Sequence, residues 1–278
     1  MSLPALRHLL LAVLAALGAA VLGAGCGSDD EDGAPVEIHA HRGGPLESAG
    51  GDLIGVHPEN SMSAFRAAHA DGFTLELDVQ VTADAVPVVM HDPTLDRTTD
   101  CRGRVDARTA RSLARCRLDL LGTSGNTRPN LQPERVPTLA DVLEWARAEG
   151  TELTVEIKDV SARTVVDAFA SSGIDGEHLV VKSFRPRDLE IARDAGWRTA
   201  LLTSRDDNAA APEIASREDF DVLSPQWPLP EGFLDEAGRP VVPWTLNSSR
   251  EIEAALDAGV DGIVTDNPGA VRAAIDAG

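Results

Sequence analysis

The chain has 278 residues, ordinary apolar content at 43%, few aromatics at 4%, no tyrosine and three cysteines. With a leader set aside, about 250 residues remain, enough for one large domain or two small ones. Acidic residues outnumber basic ones 45 to 25, for a net charge of −20; such a surface repels nucleic acid and anionic lipid headgroups, which excludes nucleic-acid partners.

Arg7 precedes an apolar run over 9–22, too short to span a membrane comfortably as a helix. Gly23-Ala24-Gly25-Cys26 follows, then an acidic, glycine-flanked stretch. The pattern predicts a signal peptide over 1–26 and a flexible acidic linker over 27–35. A cysteine directly after small residues resembles a bacterial lipobox, with Cys26 as the lipidated N-terminus. Gly23 stands where the usual leucine would be, and Leu22 sits one place early. The expected location is the extracellular side of the membrane as a lipoprotein, or free secretion if cleavage is ordinary. Any contact with the membrane is expected only through this anchor. Export lets Cys101 and Cys116 pair, and closing a loop of that size is worth ~3 kcal/mol in the chain-entropy model. Cys26 is then left over, as lipidation requires.

In the body, 36–40 reads as a strand, and Pro58-Glu59-Asn60 opens an amphipathic helix through Ala70. The strand over 74–79 alternates apolar and polar residues, so Glu76, Asp78 and Gln80 share one face. The apolar run 86–90, ending in His91-Asp92, follows too closely for a parallel crossover and reads as a hairpin arm. A turn centred on Asp84-Ala85 sets His91 opposite Asp78. Residues 93–137 are polar and rich in Arg, Gly and Thr, an inserted subregion with a short helix over 107–114. Thr138 is a candidate N-cap for a helix over 139–149. Strands at 153–157, 179–183, 199–202, 221–223, 241–245 and 262–265 alternate with helical segments, although prolines interrupt helix over 225–236. Eight strands alternating with helices predict an α/β fold, a (β/α)8 TIM barrel over 36–278 with the insertion after His91-Asp92. An open doubly wound sheet is the alternative, but no Gly-rich phosphate fingerprint follows the first strand.

Three strands each place two polar side chains on one face: His39 and His41, Glu76 and Asp78, Glu156 and Lys158. Inside a barrel such groups must be paired, liganded or at the open C-terminal rim. Glu76, Asp78 and Glu156 form a set of hard oxygen ligands suited to one divalent cation, Ca²⁺ or Mg²⁺. His41 and His91 are the acid/base candidates, because imidazole titrates near neutral pH. His39, one layer deeper, is expected to be a hydrogen-bonded core residue, and His57, His69 and His178 surface or structural. Arg42 and Lys158 are cations suited to an anionic substrate. Of the basic residues only Lys158 and Lys182 are lysines. Together these groups describe phosphodiester cleavage.

The motifs His41-Arg42-Gly43-Gly44, Pro58-Glu59-Asn60-Ser61, Glu76-Leu77-Asp78-Val79, His91-Asp92 and Leu95-Asp96-Arg97-Thr98-Thr99 closely resemble the glycerophosphodiester phosphodiesterase family. The match continues through Val136-Pro137-Thr138-Leu139, Glu156-Ile157-Lys158, Ser183-Phe184, Trp244-Thr245-Leu246-Asn247 and Thr265-Asp266-Asn267-Pro268. The resemblance implies a TIM barrel that hydrolyses small glycerophosphodiesters to glycerol 3-phosphate and an alcohol with a divalent cation. It also implies that Glu76, Asp78 and Glu156 hold the metal and that His41 and His91 are the acid/base pair. Arg42 and Lys158 would bind phosphate, Phe184 and Trp244 would line the substrate pocket, and Glu59 would orient Arg42 or His41. Without it, Trp244 reads as core packing. The segment between Gly44 and Pro58 is longer than in many members, Ala83 and Ala85 replace a common Lys and Gly, and Ser61 replaces a common Thr. Two other readings are a phospholipase C- or D-like enzyme acting on lipid or polymer, and a non-catalytic surface binding lipoprotein. The acidic, aromatic-poor loops offer a lipid little apolar rim, and all five ligand and histidine positions are filled.

Overall fold

The computed structural model describes residues 35–49, 52–118 and 134–278. The expected leader, Cys26 and all of the linker except residue 35 lie outside the described residues. In chain order the elements are β1 (Glu37–Ala40), β2 (Leu46–Ala49), β3 (Asp52–Gly55), α1 (Met62–Ala70), β4 (Thr74–Val81), β5 (Pro87–Val89), α2 (Ala110–Leu113), β6 (Arg117–Leu118) and β7 (Glu134–Arg135). After these come α3 (Leu139–Glu149), β8 (Leu153–Ile157), α4 (Ala162–Ser172), β9 (Leu179–Ser183), α5 (Pro186–Asp194), β10 (Arg198–Thr203), α6 (Ala211–Glu218), β11 (Val222–Pro225), α7 (Phe233–Ala237), α8 (Ser249–Ala258), β12 (Gly262–Thr265) and α9 (Pro268–Ala277).

Seven strands pair in parallel in the order β11-β10-β9-β8-β4-β1-β12, with β5 antiparallel on β4. The result is an α/β fold whose mostly parallel sheet curls like an incomplete TIM barrel. Between β11 and β12 runs the segment 241–246, where the sequence predicts a strand. Val242 and Trp244 donate backbone N–H groups to Leu223 and Pro225, while Val264 donates to Pro243 and Leu246 to Val264. Only isolated parallel bridges form there, and Pro243, which has no N–H to donate, accounts for part of the irregularity.

Strand alternation sorts the side chains. Leu75, Leu77, Val79, Leu153, Val155 and Ile157 face the helices in the main core, and Glu76, Asp78, Thr154 and Glu156 face inward. The inward side of the opposite half is apolar, with Ala200, Val222, Val242 and Val264 in contact. The buried charged side chains of the interior thus lie on β4, β8 and β9, with His39 on β1, so its charges must neutralise one another within one half.

Several local expectations change. Helix α1 starts at Met62 with Ser61 as its N-cap, because Asn60 takes φ 55° and spends its side chain on Asp78. Helix α3 keeps its expected bounds, with a reciprocal Thr138–Asp141 capping box. The expected helix over 107–114 shrinks to α2, capped by Thr109. The β4–β5 register pairs Val79 with Val89 and Gln80 with Val88, one residue away from the expected one. Thr82 closes a three-residue loop through Val86, and Ala85 adopts φ 58°, the geometry of a turn plus one left-handed residue. Met90 therefore bonds to Asp78, and His91 lies just past the ladder. The long segment after β1 forms the β2–β3 hairpin, which Leu46 and Ser48 tie to Asp266 and Asn267.

The insertion has its own small core of Val88, Met90, Leu95, Val105, Leu113, Leu118 and Val136. Cys101 and Cys116 are bonded within it, with Cα atoms 5.5 Å apart. Replacing both cysteines by serine should cost ~3 kcal/mol, from the 15-residue separation. Equal urea midpoints for the two proteins would remove the disulfide from the stability account.

Candidate active site

The site sits at the C-terminal ends of β1, β4 and β8. After β1 the chain turns tightly through Arg42, Gly43 and Gly44, all at positive φ. A Cβ on Gly43 would stand 2.6 Å from Ala64 Cβ, and one on Gly44 2.7 Å from the Pro268 ring, so only glycine allows this approach. The turn aims the Arg42 N–H at Glu76 Oε2, 2.9 Å away.

Glu76, Asp78 and Glu156 are buried, and one carboxylate oxygen from each lies within 4.8 Å of the others. Asp78 pairs in register with Glu156 across β4 and β8. Lys158 Nζ lies 2.8 Å from Asp78 Oδ1 and 2.6 Å from Glu156 Oε1, and Arg42 Nε lies 3.3 Å from Asp78 Oδ2. Asn60 donates to the same Oδ2 at 2.8 Å. Asp78 Oδ1 is buried without a directed hydrogen bond; its approach to Lys158 is an ion pair. A buried carboxylate oxygen of that kind, among three carboxylates, fits a divalent cation. Burial pushes the Asp78 carboxyl up, but Lys158 and Arg42 overcome this and hold it far below the usual carboxylate range. Burial, reinforced by Asp78, pushes Glu156 the other way, to about 7.

The two candidate histidines are each held by a carboxylate. His41 Nδ1 bonds Asp266 Oδ1 at 2.6 Å, and His91 Nδ1 bonds Asp92 Oδ1 at 2.7 Å. Their environments differ. Burial lowers the pKa of His41, yet the charge and hydrogen bond of Asp266, with Glu76, outweigh burial and Arg42, so it is raised. His91 is lowered, first by burial and then by Arg42 and Lys158, against Asp78 and Asp92. Arg97 draws Asp92 down to about 2 and binds Glu59 through two nitrogens at 2.6 and 2.7 Å. Glu59 also accepts from Arg42 at 3.1 Å. It therefore orients Arg42 rather than His41, and it links the two histidine-bearing turns.

A cavity of about 150 Å³ collects His41, Arg42, Glu76, His91, Glu156 and Lys158. Phe184 and Trp244, edge to face at 5.6 Å, close another side, and Trp244 is anchored by its indole N–H to the Ser224 carbonyl at 2.8 Å. His39 is buried deeper and bonds Glu37 at 2.9 Å; His57 and His69 bond Ser63 and Thr151, away from the cavity. Asp266, Asp92, Arg97, Asn60 and Lys182 have no role assigned from the sequence alone. Asp266 follows β12, the strand beside β1, but that adjacency spans the whole chain. Lys182 carried a readable signal, a lysine inside the apolar run of β9.

Residues 41–270 match the model of the glycerophosphoryl diester phosphodiesterase family. A glycerophosphodiester phosphodiesterase from Caldanaerobacter subterraneus subsp. tengcongensis is 30% identical over 226 residues, covering 76% of this chain and 89% of that protein. Among solved structures, an Oleispira antarctica phosphodiesterase in complex with the product sn-glycerol-3-phosphate superposes with TM-score 0.67 at 22% identity, covering 87% of this chain and 97% of that one. A glycerophosphodiester phosphodiesterase from Agrobacterium tumefaciens does so with TM-score 0.65 at 20% identity, over 85% and 99%. The cavity between the held histidines and the carboxylate cluster thus lies in a chain that belongs to the glycerophosphoryl diester phosphodiesterase family.

Proposed function

We propose that the protein hydrolyses glycerophosphodiesters to glycerol 3-phosphate and an alcohol, using one divalent cation held by Glu76, Asp78 and Glu156. The observation that carries this reading is one small cavity lined by two carboxylate-held imidazoles, two cations and Glu76 and Glu156 of the three-carboxylate cluster. Family membership and the product-bound Oleispira relative support the same substrate. Three carboxylate oxygens suit Ca²⁺ or Mg²⁺. When bound there, the ion supplies Lewis-acid polarisation of a phosphoryl oxygen.

The chain's own groups do the rest. Arg42, fixed by Glu59 and Asp78, and Lys158 neutralise the phosphate and its developing charge. With each Nδ1 engaged, Nε2 is the nitrogen that exchanges protons. Opposed environments divide the work: His91, lowered, takes the proton of the nucleophile, and His41, raised, donates to the leaving oxygen. Phe184 and Trp244 offer an apolar wall for the carbon face of glycerol. Trp244→Ala should raise KM about tenfold or more with a smaller change in kcat; an unchanged KM would return Trp244 to core packing.

The seven paired strands and the bonded segment 241–246 are read as a closed (β/α)8 barrel, which places these groups at its rim. The chain is exported and anchored through lipidated Cys26, a reading that mass analysis of the N-terminal peptide tests. For the reaction, glycerol 3-phosphate release from glycerophosphocholine is measured after EDTA treatment and after Ca²⁺ or Mg²⁺ is restored. Cation-dependent release is expected; none with either ion, from folded protein, would overturn the reading.

A further inference from the structure

Lys182 is 3% exposed, a charged side chain one residue before the C-terminal end of β9. Along this strand Val180, Lys182 and Phe184 face the interior while Leu179 and Val181 pack in the outer core. Lys182 lines the active-site cavity and also a second cavity of about 90 Å³, deeper in the barrel, beside His39, Thr154, Val180 and Ser224. Register sets it beside Glu156 of β8, and partners in a parallel ladder carry their side chains on the same face. Its ammonium therefore lies on the inner side of the carboxylate cluster.

A buried ammonium without opposite charge is strongly disfavoured. Burial draws its pKa below the ordinary lysine value, and Glu76, Glu156 and Asp78 offset that only in part, with Lys158 opposing them. Arg42 and Lys158 already contact the cluster through Asp78 and Glu156. Arg42 is also shared with Glu59, and Lys182 adds a third positive charge acting on the carboxylates.

We propose that Lys182 is a resident counter-charge that holds the three carboxylates together from the inner side and limits how tightly they bind a divalent cation. It is a positioning residue and not a ligand. A divalent ion entering the cluster meets an ammonium that lines the same cavity, and at an effective dielectric of about 20 the repulsion across roughly 10 Å exceeds one decade in affinity. The consequence is exchangeable binding, so that activity follows the external cation concentration. The inference rests on reading Glu76, Asp78 and Glu156 as the cation ligands.

The test is calorimetric titration of EDTA-treated protein with Ca²⁺ and with Mg²⁺, for wild type, Lys182→Gln, Lys182→Met and Lys182→Arg. The Gln and Met proteins should bind the ion about tenfold or more tightly, and the Arg protein within about threefold of wild type. Without cation, the Gln and Met proteins should melt below wild type, and saturating cation should close the gap. If Met does not fold, Gln, which keeps a hydrogen-bonding end, carries the test. Equal or weaker binding in a folded neutral variant would overturn the counter-charge, since a merely structural lysine would lower melting without tightening binding. A wild type that binds neither ion would overturn the ligand reading and this inference together.

Discussion

Turnover of a glycerophosphodiester is expected to fall by about 10²–10⁴-fold in His41→Ala and in His91→Ala, the usual yield of a positioned proton-transfer group. Cation binding should be retained in both, because neither imidazole belongs to the carboxylate cluster; calorimetry separates the two effects. A near-wild-type rate in either variant would sink its assignment. The pH profile is sharper still. His91 must be neutral to accept a proton, so activity is lost as pH falls through its pKa, which lies below the ordinary 6.5. His41 must be charged to donate, so activity is lost as pH rises through its pKa, which lies above 6.5. Asp266→Asn removes the carboxylate that opposes burial at His41 and should move the basic limb of kcat/KM to lower pH while leaving the acidic limb in place. A basic limb that stays where it was would mean that His41 does not set it.

Asp78→Ala should have the largest effect on stability. Asp78 is fully buried and is the common partner of Arg42, Lys158 and Asn60. Removing it leaves two largely buried cations sharing the remaining carboxylates, a change that costs about 3–5 kcal/mol when a buried ion pair is broken from one side. The same substitution takes away one of three cation ligands, so the stabilisation that Ca²⁺ or Mg²⁺ gives the wild type should disappear as well. Urea unfolding with and without cation measures both. Wild-type stability in the variant would show that Asp78 is not the hub of the charge network.

Alternation along single strands was enough to identify Glu76, Asp78 and Glu156 as inward-facing groups, because period two is a local property of extended chain. The same logic applied to His41 and Lys158 at strand ends, and the recurrence of strand and helix signals was enough for the α/β class. Helix α3 was legible to the residue, since its cap lies within its own first turn. Phe184 and Trp244 were placed near substrate only through the family resemblance. Tertiary structure decided what depends on residues distant in sequence. It set Asp266 on His41, Glu59 between Arg42 and Arg97, and Lys182 in register beside Glu156, because those neighbours are brought together by a curled sheet and not by any repeat in the chain. It also decided the hairpin register: one left-handed residue, Ala85, moves the pairing by a place, and no alternation pattern specifies a single φ. Which side chains face inward is thus written along the chain, and the folded sheet sets which of them meet, since facing depends on neighbours in the chain and meeting on neighbours in space.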